Sequence, residues 1–285
     1  MHLQSKTKPP YFPEPDQTTI LRLGLHPLQH KDWLVTDEDF LQFQQHKQQM
    51  GKLHHDKVFQ ALPTSRPAQQ EFSNYLLHYL QQHRPRQYQI DGDKLTHTES
   101  GASWPIASED LWHSSLWIQE DICLMEESEA GYVLSAASLC SPSNWKLEDK
   151  IGKTVDRIHD PVPGYQQELA DRVNRLLKGV KSSKPMLRYN WSLQASSELC
   201  WREDIAQAVE GLHWRVERQT FLRLPETGAV VFGIRLFIHS FETMAAHCQF
   251  EANLRTIVTR LPAAIRDYKG LDRLLDSLRI AEGKQ

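Results

Sequence analysis

Apolar positions change their spacing several times along the chain. Over residues 36–50, Phe40, Leu41 and Phe43 form an apolar side behind Thr36 or Asp37 as cap, which predicts a helix. Over 66–82, Phe72, Tyr75, Leu76, Tyr79 and Leu80 recur at helical spacing and Pro67 sits in the first turn, so a second helix is expected. Residues 87–98 hold Asp91-Gly92, a hairpin dipeptide. Residues 108–117 open on a capping signal and predict a short helix. The period then shortens. Runs at 120–125 and 132–139 read as strands joined at Glu129-Ala-Gly131. Residues 145–157 are helical or irregular, Pro161 and Pro163 punctuate the chain, and 166–178 return to helix with Leu169, Val173, Leu176 and Leu177 along one side. A strand is expected at 186–193 and a short helical insert at 203–209. Two long strands at 214–224 and 229–238 meet at Glu226-Thr-Gly228. Helices at 241–260 and 271–281 follow, and Tyr11-Phe-Pro-Glu-Pro near the start reads as extended chain.

The order is therefore a helical N-terminal part, two strands, helices, three strands, helices. Neighbouring strands joined by turns imply an antiparallel sheet, and helices segregated around it imply an α+β fold. There is no GxGxxG after a strand and no Walker A loop, which argues against nucleotide binding by those routes. HExxH and GxSxG are also missing, leaving the common zinc-protease and α/β-hydrolase readings unsupported.

Composition narrows the classes further. The 285 residues suit one large domain or two small ones. A net charge of −3 with no basic block argues against nucleic acid as partner. Apolar stretches such as 228–234 are too short to span a bilayer, and residues 1–10 carry no apolar signal core. The cysteines, Cys123, Cys140, Cys200 and Cys248, stand far apart with no CxxC, so neither a disulfide framework nor an iron–sulfur cluster is expected, and a reducing cytoplasm is the simplest location. The 14 histidines are the compositional oddity, and they make His the expected ligand of any iron.

Three segments carry candidate chemistry. In Ile158-His-Asp-Pro-Val-Pro-Gly-Tyr165, two prolines and a glycine fix the backbone just after His159. Such a frame holds an imidazole in one direction, as an axial iron ligand requires; a capping or core histidine beside a turn is the commoner use of such a segment. In Trp214-Arg-Val-Glu-Arg-Gln-Thr220, strand alternation puts Arg215, Glu217 and Gln219 on one face and Val216, Arg218 and Thr220 on the other. This is either the solvated face of a sheet or the wall of a polar pocket in which arginine binds anions and Glu217 holds a cation or carries a proton. In Leu187-Arg-Tyr-Asn-Trp191, Arg188 and Asn190 share a face and offer hydrogen-bond donors, while Tyr189 and Trp191 face the core. His26 and the adjacent His54-His55 read as structural.

These segments occur in order with Tyr11-Phe-Pro, Arg22-Leu-Gly-Leu-His-Pro-Leu28, Glu120-Asp-Ile-Cys-Leu-Met125, Arg223-Leu-Pro-Glu-Thr-Gly-Ala229 and Tyr268-Lys-Gly270. Together the series resembles the α subunit of haem-dependent oxidative N-demethylase, from about Tyr11 to Leu278. The resemblance implies a PAS-like antiparallel sheet with a helical crossover, in a single haem-binding domain over 1–285: N-terminal extension 1–105, core 106–240, C-terminal helices 241–285. It implies haem b and the O2-dependent oxidative demethylation of a small secondary amine such as dimethylamine. Electrons would come from NADPH through partner subunits, a reductase carrying FMN and a [2Fe–2S] cluster and a folate-binding chain using tetrahydrofolate.

Carried onto this sequence, the resemblance makes His159 the expected iron ligand, with Arg188 and Asn190 lining the pocket. Arg215, Glu217 and Arg218 would serve haem propionates, substrate ammonium or oxygen, although alternation forbids all three from sharing a face. Gln219 joins Arg215 and Glu217, and Tyr165 and Lys153 are candidates for the propionates. A haem-binding sensor or interaction module without turnover is the rival reading, and a protein with a merely structural His159 is the third.

Overall fold

The switch from helical to alternating periodicity marks where the long strands of the main sheet begin in the computed structural model, which describes residues 3, 5–12, 14, 23–107, 110–202, 204–205 and 211–272. The strands are β1 (His26–Pro27), β2 (Phe59–Ala61), β3 (Tyr88–Asp91), β4 (Lys94–His97), β5 (Ser103–Pro105), β6 (Asp121–Ser128), β7 (Gly131–Ser138), β8 (Met186–Gln194), β9 (His213–Arg223) and β10 (Val230–Ser240). The helices are α1 (Phe40–Val58), α2 (Arg66–His83), α3 (Leu111–Ser115), α4 (Val155–His159), α5 (Tyr165–Glu168), α6 (Ala170–Gly179), α7 (Phe241–Ala245), α8 (Phe250–Arg260) and α9 (Ala263–Tyr268).

The fold is mixed, with antiparallel sheets. Seven strands form the main sheet in the order β1-β8-β9-β10-β6-β7-β2, and β3-β4-β5 form a small second sheet. Counted along the chain, the five long strands lie in the order 3-4-5-1-2, with α4 to α6 crossing between the second and third. The expected hairpin between the two longest strands is present in full register, from Val230 opposite Arg223 to Ser240 opposite His213. Its turn needs Gly228 at φ 74°, where a side chain would be strained. The Glu71 carboxylate of α2 accepts the Glu226 and Thr227 backbone N–H groups at 2.6 and 2.7 Å and fastens that turn to the helix.

Alternation sorts the two faces of the sheet. Ile122, Leu124, Leu222 and Val231 join α2, Trp33 and the small sheet in the largest core. Cys123, Met125, Phe221 and Val230 point the other way and pack on Val155, Ile158 and Leu177 of the crossover. Toward the far ends of β8 and β9, Trp191, Trp214 and Val216 pack with Phe237 on α7 to α9. Beyond Ile234, β10 has no β6 partner. There Ser5 N–H donates to the Ile238 carbonyl oxygen at 2.9 Å and Ile238 N–H donates to Ser5 Oγ at 3.0 Å.

Several elements differ from expectation. The helix expected at 36–50 begins at Phe40 and runs to Val58, where Phe59 takes extended geometry and starts β2. The helix expected at 166–178 is broken at Leu169. That at 241–260 is split by Gln249 at φ 71°, with no Gly or Pro to announce it. β5 and α9 were not expected from the pattern, β5 because its core is only Ser-Trp-Pro. Residues 108–109, 203, 206–209 and 273–281 of the other expected helices lie outside the described residues. No helix among the described residues is long and apolar enough to cross a membrane.

Candidate functional site

β8 and β9 pair so that Arg188 lies opposite Gln219, Asn190 opposite Glu217, and Ser192 opposite Arg215. Directly paired residues point to the same face, so these polar side chains form one surface. It is continuous with the Met186, Phe221 and Phe232 patch that packs toward the crossover helices. Phe221 and Phe232 stack there at 4.9 Å.

Glu217 is the centre of this surface. Its Oε2 accepts Asn190 Nδ2 at 3.2 Å and Gln219 Nε2 at 2.8 Å. Its Oε1 stands 3.6 Å from Arg215 Nε, too long for a hydrogen bond. Arg215 is fully buried and spends its fork on Gln194 Oε1 at 3.2 Å and on the carbonyl oxygens of Leu199 at 3.0 Å and Ser141 at 2.5 Å. Arg215 thus braces the loops around the sheet and bears on Glu217 from behind.

Arg188 is different. It is half-buried, and its Nε has no hydrogen-bond partner among the described residues. Burial pulls its pKa down, against the attraction of Glu217. A guanidinium desolvated without a bound anion is costly, so this position calls for a negatively charged ligand group.

His159 ends α4, just before the Asp-Pro-Val-Pro-Gly turn whose Gly164 sits at φ 78°. Its Nδ1–H donates to the Val155 carbonyl oxygen one helical turn back, at 2.7 Å. A carbonyl only accepts, so Nε2 carries the lone pair. Tyr165 stacks flat on the ring at 4.8 Å and 12°. Burial lowers the His159 pKa, and Arg188 and Lys150 push it the same way, which keeps the imidazole neutral and its Nε2 unprotonated. Val155 and Ile158 of the same helix pack on Phe221 and Val230, on the face that carries Arg188.

The remaining expected residues are placed as follows. Arg218 lies opposite Tyr189 on the other face and donates to the carbonyl oxygens of Trp33 at 3.0 Å and Asp32 at 2.5 Å. The Tyr165 hydroxyl donates to Asp156 Oδ1 at 3.1 Å, and the Lys153 side chain is exposed. The sequence reading gave no role to Lys269, which follows α9 directly. Its ammonium donates to the Trp191 carbonyl oxygen at 2.7 Å and to Asn190 Oδ1 at 3.4 Å. The only sequence signal for it was its place in the Tyr268-Lys-Gly270 segment.

This arrangement fits a haem. A porphyrin would supply four nitrogens, so one imidazole with Nδ1 tied back and an unprotonated Nε2 would suffice from the protein. Met186, Phe221 and Phe232 would give a macrocycle apolar contact, and Arg188 would give positive charge to its carboxylates. Among the described residues no group of three or more His, Cys, Asp or Glu forms a separate metal site.

The family model for the haem-dependent oxidative N-demethylase, alpha subunit-like, matches residues 24–279. That span takes in β1 to β10 and α1 to α9, and with them every residue of the surface just described. The chain belongs to the haem-dependent oxidative N-demethylase alpha subunit-like family.

Proposed function

We propose that this chain is the haem-b subunit of an O2-using N-demethylase acting on a small secondary amine of the dimethylamine kind. The observation that carries the reading is the His159 imidazole, tied at Nδ1 with its Nε2 lone pair free, in a chain of this family. The strand order 3-4-5-1-2 with its helical crossover supports a PAS-like core at 106–240, between an N-terminal extension and C-terminal helices.

When bound, haem b supplies the binding and activation of O2. His159, at the end of α4, would hold the iron through Nε2. Glu217 takes the amine: two amide donors occupy Oε2, so Oε1 is left to accept an amine N–H and orient the methyl group. Arg188 offers positive charge to haem carboxylates or to the charge that develops as oxygen is reduced. Arg215 and Gln219 keep Glu217 in place, and Tyr165 keeps the His159 ring in its plane. Arg218 serves the opposite face as a clamp on the 32–33 backbone. One amine N–CH3 group, one O2, two electrons and two protons give the demethylated amine, formaldehyde and water. Partner subunits with FMN, a [2Fe–2S] cluster and tetrahydrofolate bring the electrons from NADPH and take the formaldehyde.

The test is reconstitution with haem. A Soret band is expected for the native chain and its loss for His159→Ala; a band unchanged in that variant, or none in either, would overturn the assignment. Amine-dependent O2 consumption with a supplied reductase separates this reading from a haem sensor without turnover.

A further inference from the structure

We infer that Lys269 is a positioning residue for Glu217, acting through Asn190: its ammonium fixes which way the Asn190 amide points, and so which group meets the carboxylate. The inference rests on the reading of Glu217 as the group that orients the amine.

Lysine has donors and no acceptor, whereas an asparagine amide has both. With Lys269 Nζ donating to Asn190 Oδ1 at 3.4 Å, the other end of the amide, Nδ2, faces Glu217 Oε2 at 3.2 Å. The ammonium is itself pinned by the Trp191 carbonyl oxygen at 2.7 Å and lies 5.0 Å from the centre of the Trp191 ring. Reversing the amide would set its oxygen against the Glu217 carboxylate and its NH2 against the Lys269 ammonium, acceptor on acceptor and donor on donor. Lys269 therefore makes Asn190 a donor to Glu217, beside Gln219 on the same oxygen at 2.8 Å, and leaves Oε1 for the substrate.

The setting of Lys269 favours a positioning role over a stabilising one. Its ammonium has no ion pair among the described residues, and burying an ammonium without one is unfavourable to folding. Burial pushes its pKa down to about 8, with Glu217 opposing and Arg188 adding to the fall. The charged and titratable groups around it are Glu217 on β9, Arg188 on β8, and Tyr268 beside it in the chain, whose phenol also feels Glu217. On losing its proton, Lys269 becomes an amine that accepts as well as donates, and the lock on Asn190 loosens.

The experiment uses the full chain labelled with nitrogen-15 and follows the Asn190 side-chain NH2 signals, assigned with Asn190→Asp. In the native chain they are expected to shift with a midpoint near pH 8, and in Lys269→Met to stay still. Dimethylammonium, titrated onto the haem-loaded chain and read by the haem absorption, is expected to bind about tenfold more weakly to Lys269→Met, with most of the affinity restored in Lys269→Arg. Asn190 signals that do not titrate in the native chain, or native-like amine binding by Lys269→Met, would overturn the inference. If Lys269→Met does not fold, the Asn190 titration of the native chain decides. Absence of amine binding in the native chain, with that titration intact, counts against the role of Glu217 and not against the Lys269 lock.

Discussion

Charges on opposite faces of β9 are held in opposite ways, as Arg218 and Glu217 show. On one, Arg218 gives both ends of its fork to backbone carbonyl oxygens of residues 32 and 33, groups that never leave. On the other, Glu217 is held through one oxygen only, and Arg188 keeps a nitrogen without a partner. A charge whose hydrogen bonds all end on backbone is part of the scaffold. A charge left half-satisfied beside an apolar patch is where a ligand can be recognised.

Substitutions test that contrast, and the largest effect is expected on the scaffold side. Arg218→Met should destabilise the fold by about 3–5 kcal/mol in denaturant titration, because it strands the buried Trp33 carbonyl and removes the cation that opposes the charge of buried Glu120. Its folded fraction should still take up haem. Glu217→Gln should do the reverse, weakening amine binding about 100-fold in a spectroscopic titration while stability moves by about 1 kcal/mol or less. A Glu217→Gln protein that binds amine normally would erase the distinction between the faces.

A smaller effect comes from pH. His46 is enclosed on α1, with its Nε2–H on the Cys140 carbonyl oxygen at 2.9 Å, and burial lowers its pKa from 6.5 to about 3. Its folded-state pKa lies below the unfolded one, so its contribution is whole above about pH 6.5 and drains away as pH falls toward 3. Between pH 7 and 5 the native chain should lose about 2 kcal/mol more than His46→Gln does, measured by denaturation at each pH. The smallest effect on stability belongs to Arg188→Met. It should leave the midpoint unchanged within about 1 kcal/mol, or raise it slightly, since no hydrogen bond to the described residues is lost, while haem affinity falls.

Alternation in the sequence was enough to separate Arg215, Glu217 and Gln219 from Arg218, because a strand leaves no other choice. It was not enough to say which set meets Arg188 and Asn190. That depends on the register of β8 against β9, which is set by core packing across the whole sheet. His159 was visible through its proline frame, yet the hydrogen bond that fixes its tautomer arises from helix α4, a five-residue element too short to announce itself by periodicity. Lys269 was not singled out as a site residue, since no helix was expected at 261–270 and nothing in the pattern placed that segment beside β8. His46 looked as ordinary as the other histidines, because nothing in its neighbourhood in sequence reveals that Cys140 will lie beside it.

The exchange between Ser5 and Ile238 has a practical side. Past Ile234, β10 would otherwise present open backbone donors and acceptors along an edge lined by Leu236 and Ile238. Such an edge recruits strands from neighbouring molecules. Shortening the chain past Ser5, or burying that segment under a fusion, should turn a monodisperse preparation into one that self-associates through β10, and light scattering would register it before any activity assay.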